Sequence, residues 1–167
     1  KQSTQGGGQL AYPGDLAREF VPSADERQVQ PAGVDLSVES IEVLRGPGFI
    51  GEEKKIPGGE EVKPTPRGWV LAPGAYRVRF RDVVRVPPDA VGICFPRSSL
   101  LRMGATVSCA VWDPGYVGKG QALLVVFNDG GIVVEKDARL AQIVFVRLVE
   151  VAKVLYRGTY YGEGLEG

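Results

Sequence analysis

The sequence predicts an all-β protein, and two observations support that prediction. The chain holds 23 glycines and 12 prolines among 167 residues, spaced so closely that long helices are excluded. Several segments also alternate apolar and polar residues with a period of two, which is typical of half-buried strands. A series of short strands of this kind favours a distorted antiparallel β-barrel or a jelly roll.

The segments follow in order along the chain. Residues 1–9 are polar and rich in glycine, so we expect a flexible N-terminal segment ahead of one domain over 10–156. Three prolines limit any helix between Leu10 and Gln30 to one or two turns. The stretch 46–68, rich in glycine, proline and charge, predicts an exposed loop or a loose hairpin.

Strands are predicted wherever the period of two appears. In Val34–Val38 the apolar residues alternate with polar ones, so Asp35 should face away from the core. In Tyr76–Arg81 the apolar side chains should face inward and the three arginines outward. The remaining predicted strands are Val91–Phe95, Ala105–Trp112, Ala122–Phe127, Ile132–Val134, Leu140–Val149 and Val151–Tyr156.

One internal helix is predicted, over Ser98–Met103. Pro96 precedes it and Gly104 follows it, an arrangement typical of a capped turn. A helix of this length buries little surface, but its first amides and its partial positive charge favour an anion.

The composition excludes several classes of protein. Basic and acidic side chains number 20 each, so the net charge provides no argument for a nucleic-acid partner. With 44% hydrophobic residues the chain can bury a core, yet no apolar run reaches the roughly 20 residues of a membrane-spanning helix. We therefore expect a cytoplasmic protein that binds neither nucleic acid nor membrane.

Histidine is absent from the sequence, which rules out Ser-His-Asp and Cys-His catalytic sites. Cys94 and Cys109 are too few for a zinc site built from cysteine and histidine. Both stand in apolar, strand-like segments, so we expect core thiols in a reducing compartment. A disulfide of the kind found in hyperthermophiles is the alternative.

Five motifs stand in order along residues 30–162. They are Ala32-Gly-Val-Asp-Leu36, Pro96-Arg-Ser-Ser-Leu100, Trp112-Asp-Pro-Gly-Tyr116, Ala138-Arg-Leu-Ala-Gln-Ile143 and Tyr156-Arg-Gly-Thr-Tyr-Tyr-Gly162. In order and spacing they resemble the motifs of the trimeric dUTPase and dCTP deaminase superfamily. The resemblance implies a dUTPase-like barrel of the β-clip type, assembled as a homotrimer with three sites between subunits.

Polar residues of these motifs are suited to a triphosphate. Arg97, Ser98 and Ser99 supply an arginine fork, two hydroxyls and helix-start amides, although a serine-capped turn with a solvated arginine is the alternative. Gln142 interrupts an apolar run, and its amide would find a partner in phosphate, in the catalytic water or on a neighbouring strand. By resemblance, Arg102 is a further candidate for contact with the substrate.

Asp113 is the candidate catalytic residue. Attack of water on the α-phosphorus needs a general base, and without histidine the bases available near a turn are carboxylates. The alternative is that Asp-Pro-Gly is only turn chemistry. By resemblance, Asp113 contacts the sugar 3′-hydroxyl and the attacking water. The resemblance also implies that the Tyr116 ring packs on the deoxyribose and excludes a 2′-hydroxyl. The alternative is that Tyr116 is an ordinary core aromatic residue without contact to a ligand.

The resemblance also implies a magnesium ion and a closing arm. Asp35 would hold waters of Mg²⁺ bound to the phosphates, although an outward aspartate is ordinarily just solvated. Residues 157–167 would close over the nucleotide, with Arg157 reaching the γ-phosphate and either Tyr160 or Tyr161 stacked on the base. A frayed terminus is the alternative.

Base recognition is expected at the segment that contains Val107 and Cys109. Residues 107–111 carry no acidic, basic or amide side chain, so a base there would be bound by backbone groups, which suits uracil. An ordinary core hairpin strand is compatible with this role.

The sequence also separates the two branches of the superfamily. The deaminase branch requires a glutamate three positions before an asparagine, and Val125 stands at that distance from Asn128. We therefore expect a member of the dUTPase branch, similar to the archaeal enzymes, that hydrolyses dUTP to dUMP and pyrophosphate with Mg²⁺. A dCTP deaminase or bifunctional enzyme is the alternative, and a non-catalytic nucleotide-binding member is the second alternative.

Overall fold

Strands form most of the computed structural model, which describes residues 10–166. The segment 1–9, predicted to be flexible, lies outside the described residues. The strands are β1 (Val29–Gln30), β2 (Gly33–Arg45), β3 (Phe49–Ile50), β4 (Lys54–Lys55), β5 (Gly58–Glu61), β6 (Trp69–Leu71), β7 (Gly74–Phe80), β8 (Val84–Arg85), β9 (Ala90–Pro96), β10 (Ala105–Ser108), β11 (Val117–Gly118), β12 (Gln121–Val126), β13 (Ile132–Val134) and β14 (Arg139–Arg147).

Helices are few and short, as the prolines predict. Helix α1 (Gly14–Ala17) continues as a 3-10 turn over Arg18–Phe20, and a second 3-10 turn covers Glu26–Gln28. Helix α2 (Ser98–Arg102) agrees with the predicted internal helix to within one residue. Between residues 10 and 166, no helix is long and apolar enough to cross a membrane.

The main sheet is antiparallel and built around β2. Its order is β10-β12-β7-β2-β14-β9, with β1 and β5 paired to the two ends of β2. Because β2 is 13 residues long, its first half pairs with β14 and its second half with β7. Two-stranded pairs β11-β8, β13-β6 and β3-β4 complete the architecture.

The two edges of this sheet meet at Gly92 and Trp112. Their backbones exchange hydrogen bonds of 2.9 and 3.0 Å, so β9 is joined to the segment that follows β10. A side chain at Gly92 would place its Cβ 2.9 Å from the Trp112 Cβ, so this close approach requires glycine. The result is a nearly closed antiparallel barrel, which confirms the predicted fold class.

The core contains the inward-facing side chains predicted for the strand Tyr76–Arg81. Tyr76, Val78 and Phe80 of β7 are buried, while Arg77 and Arg79 between them are half-buried. Burial of apolar surface at about 25 cal/mol per Å² stabilises the closed barrel.

The prediction for Asp35 is wrong in one respect, because its side chain has no exposed surface. Strand β2 is buried on both faces from Gly33 to Val38. A polar layer covers the second face, where Asp82 accepts hydrogen bonds from the Ser37 backbone N–H at 2.7 Å and from Gln28 Nε2 at 2.9 Å. An alternating sequence therefore marks two buried faces of different polarity here.

Two other predicted segments differ from the structure. Residues 151–156 form no strand, because their backbone bonds run to loops: Ala152 N–H donates to Pro88 and Tyr156 N–H to Pro114. The strand predicted over Ala105–Trp112 ends at Ser108. The segment 46–68 contains the exposed hairpin β3-β4, in agreement with the hairpin alternative, and also strand β5, whose pairing with β2 was not predicted.

Candidate functional site

The surface carries a cavity of about 550 Å³, here called the arginine cavity, lined by Arg97 and Ser99 of the second motif. Arg139 of the fourth motif also lines it. The other charged residues of its lining are Arg27, Arg81, Lys136, Asp25, Glu135 and Asp137. Five cationic side chains thus meet three carboxylates, an excess of positive charge that suits an anionic ligand.

Helix α2 orients the residues of the second motif. Arg97 is its N-cap in an extended conformation, and the exposed Ser98 and Ser99 form its first turn. Gly104, with φ of 78°, ends the helix in the left-handed region. Ser98 and the exposed Arg102 do not line the arginine cavity.

Asp35 lies buried next to Arg97 and Arg139. Its Oδ2 is 3.0 Å from Arg97 Nε and 3.3 Å from Arg139 Nη1, and Gln142 Nε2 donates to its Oδ1 at 3.4 Å. Gln142 stands directly opposite Asp35 on β14, so its bond to a neighbouring strand, one of the alternatives, is present. Burial raises the pKa of Asp35, while Arg97, Gln142 and Arg139 oppose that shift.

In this arrangement the surroundings of Asp35 do not form a binding site for a cation. Both oxygens of Asp35 already accept hydrogen bonds, and two guanidinium groups make its surroundings positive. Among residues 10–166, no three or more side chains of the metal-binding types gather into a cluster. A divalent ion would therefore depend on oxygens brought by a ligand, as Mg²⁺ commonly does.

A second cavity, of about 480 Å³ and here called the tyrosine cavity, contains the exposed Asp113. Asp113 begins a turn that the Tyr116 N–H closes on its carbonyl at 3.1 Å, with Gly115 at φ of 86°. Tyr116, Tyr156 and Tyr160 line the same cavity. The rest of the lining is Ile56, Arg77, Ala110, Val111, Trp112, Gly120, Gln121 and Glu163.

Residues 157–166 of the C-terminal arm lie across this cavity on their own chain. Tyr156 N–H donates to the Pro114 carbonyl at 2.8 Å, and Gly162 N–H donates to Val117 at 2.7 Å. The arm therefore follows the Asp-Pro-Gly turn and then pairs with the segment just beyond Tyr116.

The predicted arm residues lie in different places. Tyr160 lines the tyrosine cavity, whereas Tyr161 is 56% exposed and does not. Arg157 is exposed and lines neither the tyrosine nor the arginine cavity. Of the two tyrosines, Tyr160 is therefore the one placed to contact a ligand in this cavity.

Part of the segment 46–68 forms one side of the tyrosine cavity. Ile56 lines it, and the Pro57 carbonyl accepts a hydrogen bond of 3.2 Å from Arg77 Nη1. The Lys54 ammonium lies 5.3 Å from the centre of the Tyr160 ring, within range of a cation–π contact. This segment therefore contacts the arm, a role that its composition did not predict.

Tyr116 is both a core residue and part of the cavity lining. The residue is only 6% exposed, and its ring packs edge-on against Trp112 and Tyr156. Its hydroxyl donates a hydrogen bond of 2.8 Å to Glu163 of the arm. Burial and the neighbouring Glu163 raise the pKa of Tyr116, so the hydroxyl stays protonated and able to donate.

The expected base-binding segment lies beside the tyrosine cavity. The Val107 side chain is buried in the core, and Cys94 and Cys109 are half-buried free thiols that pack against the core. The neighbouring Cys109 raises the pKa of Cys94, and Cys94 in turn lowers the pKa of Cys109. The indole N–H of Trp112 is buried without an acceptor among residues 10–166.

The structure therefore separates the candidate residues into two groups. Arg97 and Ser99 lie in the arginine cavity, whereas Asp113, Tyr116 and Tyr160 lie in the tyrosine cavity, and the two linings share no residue.

Sequence reasoning missed two side chains that the site contains. Arg139, which contacts Asp35, stands within the fourth motif, so its position there was a usable signal. Glu163 had no such signal, because its contact with Tyr116 depends on the path of the arm.

Comparison with known proteins identifies close relatives. A family model described as dCTP deaminase-like matches residues 14–148. The probable deoxyuridine 5'-triphosphate nucleotidohydrolase of Aeropyrum pernix is 55% identical over 138 residues, which are 82% of this chain and 87% of the relative. The deoxyuridine 5'-triphosphate nucleotidohydrolase of Methanocaldococcus jannaschii is 40% identical and covers 89% of this chain and 96% of the relative.

Solved structures share the fold at low sequence identity. A 2'-deoxycytidine 5'-triphosphate deaminase from Agrobacterium tumefaciens matches 83% of this chain with a TM-score of 0.63 and 23% identity. This chain spans 48% of that deaminase chain. A native EIAV dUTPase matches 90% of this chain and 98% of its own, with a TM-score of 0.51 and 16% identity.

Proposed function

Because this chain belongs to the dCTP deaminase-like family, within the trimeric dUTPase and dCTP deaminase superfamily, we propose that it hydrolyses dUTP to dUMP and pyrophosphate. Two relatives named as deoxyuridine 5'-triphosphate nucleotidohydrolases, at 55% and 40% identity, support this choice of branch.

The observation that carries the proposal is the position of Asp113 beside Tyr116 and Tyr160 in one cavity. An exposed carboxylate there can accept a proton from the water that attacks the α-phosphorus. The Tyr116 ring would pack on the deoxyribose, and the Tyr160 ring would stack on the base. Asp113 thus has the role of general base in the proposed reaction.

The deaminase alternative lacks its proton carrier. Val125, at the position where that branch needs a glutamate, pairs with Thr106 on one side and Ala75 on the other. A valine side chain cannot transfer a proton to a cytosine ring. The other carboxylate of the tyrosine cavity, Glu163, is hydrogen-bonded to Tyr116.

We further propose a homotrimer in which each site combines the two cavities from neighbouring subunits. Among the described residues of one chain, the tyrosine cavity has Arg77 as its only cationic lining residue, whereas five cationic side chains line the arginine cavity. A triphosphate bound at Asp113 therefore needs cations from elsewhere, and the arginine cavity of a second subunit would supply Arg97 and Ser99.

Magnesium remains part of the proposal as the counter-ion of the triphosphate. The ion would neutralise phosphate charge and be held mainly by substrate oxygens and water. Asp35 would hold its waters only where Arg97 or Arg139 moves off the carboxylate, since both contact it here.

A nucleotide panel tests the proposal. The purified protein is incubated with dUTP, dCTP, dTTP and UTP, and release of pyrophosphate and of ammonia is measured with and without Mg²⁺. Pyrophosphate from dUTP without ammonia from dCTP is the expected result. Ammonia release from dCTP would support the deaminase or bifunctional alternative, and binding without product would support the non-catalytic one.

A further inference from the structure

Among residues 10–166 the Tyr116 side chain makes one hydrogen bond, and its acceptor, Glu163, belongs to the arm. Its ring is enclosed by Trp112, with ring centres 5.4 Å apart, and by Tyr156 at 5.5 Å. A side chain at Gly118 would place its Cβ 2.7 Å from the Tyr116 hydroxyl oxygen, so the backbone is also close there. The remaining freedom of the ring is limited by the hydrogen bond to Glu163 at 2.8 Å.

Glu163 is held in register with Tyr116 by its own backbone. Its carbonyl accepts a hydrogen bond of 2.9 Å from Lys119 N–H, and the preceding Gly162 N–H donates to Val117 at 2.7 Å. These bonds attach the arm to the residues that directly follow Tyr116. The carboxylate therefore has a defined position relative to the ring that it contacts.

We propose that Glu163 is a positioning residue that fixes the Tyr116 ring and thereby sets the preference for deoxyribose over ribose. This inference rests on the proposed function, in which Tyr116 packs on the sugar. A ring held by a hydrogen bond at its hydroxyl and by two aromatic neighbours cannot turn aside to admit a 2′-hydroxyl. A ring without the bond to Glu163 can, so ribonucleotide should then be accepted.

The test compares kcat/KM for pyrophosphate release from dUTP and from UTP. Glu163→Ala removes the hydrogen-bond acceptor of the Tyr116 hydroxyl. The ratio of kcat/KM for dUTP to kcat/KM for UTP should then fall about tenfold or more, mainly because kcat/KM for UTP rises. Glu163→Gln keeps an acceptor oxygen and should retain most of the ratio. Glu166→Ala, which changes an exposed acid of the same arm, is the matched control and should behave as wild type.

Tyr116→Phe provides an independent variant, because it removes the same hydrogen bond while leaving the arm sequence intact. It should lower the ratio as much as Glu163→Ala does, and the double variant should lower it no further. The inference is overturned if Tyr116→Phe or an active Glu163→Ala enzyme keeps the wild-type ratio of kcat/KM for dUTP to that for UTP. It is also overturned if Glu163→Gln lowers this ratio as much as Glu163→Ala does. A wild-type protein that releases no pyrophosphate from dUTP would instead contradict the proposed function.

Discussion

Arg97 Nε lies 3.0 Å from Oδ2 of Asp35, a carboxylate with no exposed surface. This contact joins the first motif to the second over β14, because Asp35 stands on β2, Arg97 directly follows β9, and β14 lies between those two strands. The same arginine lines the arginine cavity. One side chain is therefore shared between stability and the proposed binding of phosphate.

Arg97→Ala is expected to lower the free energy of unfolding. The loss should be about 2 kcal/mol, below the roughly 3–5 kcal/mol of a fully buried broken pair, because Arg139 and Gln142 still contact Asp35. The double variant Asp35→Asn with Arg97→Ala should recover part of this loss, since a neutral amide replaces the buried carboxylate that has lost one of its two arginine partners. Urea unfolding at one protein concentration measures the free energy of unfolding of the single and the double variants. If the losses caused by Asp35→Asn and Arg97→Ala simply add in the double variant, the two residues are not coupled.

Asp113→Asn is expected to bind nucleotide normally while turnover falls on the order of a thousandfold or more. The amide has nearly the same shape but cannot accept the proton of the attacking water. Calorimetry with a non-hydrolysable dUTP analogue and a pyrophosphate assay measure the two quantities. Near-normal turnover would remove Asp113 from the role of general base.

Mixing two inactive variants should restore activity if the sites are shared between subunits. In trimers reassembled from equal amounts of Asp113→Asn and Arg97→Ala chains, about one quarter of the sites receive both intact residues. Pyrophosphate release after refolding of the mixture should approach that fraction of wild type. Each variant refolded alone is the control, and a mixture as inactive as its components would place both residues in one subunit's site.

Docking of the arm should weaken as the pH rises. Burial raises the pKa of Glu163 above its ordinary value of 4.5, although Tyr116 and Arg79 oppose the shift. The docked arm therefore binds a proton more readily than the free arm, so docking is strongest below pH 4.5 and weakens through the raised pKa.

Hydrogen exchange at the Gly162 and Lys119 amides measures this effect, because both donate in the docked arm. At each pH the wild type is compared with Glu163→Gln, which does not titrate, so the intrinsic pH dependence of exchange cancels. Protection relative to Glu163→Gln should decrease as the pH rises above 4.5. Protection that increases with pH would show that the carboxylate, and not the acid, favours docking.

Cys109 should react with iodoacetamide before Cys94. The neighbouring Cys94 lowers the pKa of Cys109, whereas Cys109 raises the pKa of Cys94, and the thiolate is the reactive form. Mass spectrometry of the labelled peptides near pH 8 gives the order of reaction. Cys94→Ala should slow the labelling of Cys109, and equal rates for the two cysteines in wild type would contradict the assignment.

The positions of several strands in the sequence followed from local pattern, because alternation and turn residues act over a few positions. Ile132–Val134 agrees with its predicted bounds, and Ala90–Pro96 extends its predicted strand by one residue at each end. Residues 151–156 also contain apolar side chains, but they pair with no strand, and their backbone hydrogen bonds run to loops instead. Strand pairing is a property of the sheet as a whole, so an apolar segment alone does not determine it.

The sequence by itself determined the all-β class, the short helix after Arg97, and the motifs that contain Asp35, Asp113 and Gln142. Only the tertiary structure decided that Asp35 is buried against two arginines, that Tyr160 and not Tyr161 enters the cavity, and that Glu163 contacts Tyr116. The physical reason is the distance along the sequence over which the interactions act. Turns, caps and strand periods depend on neighbours in the chain, whereas burial of a charge and the path of an arm depend on contacts between residues distant in sequence.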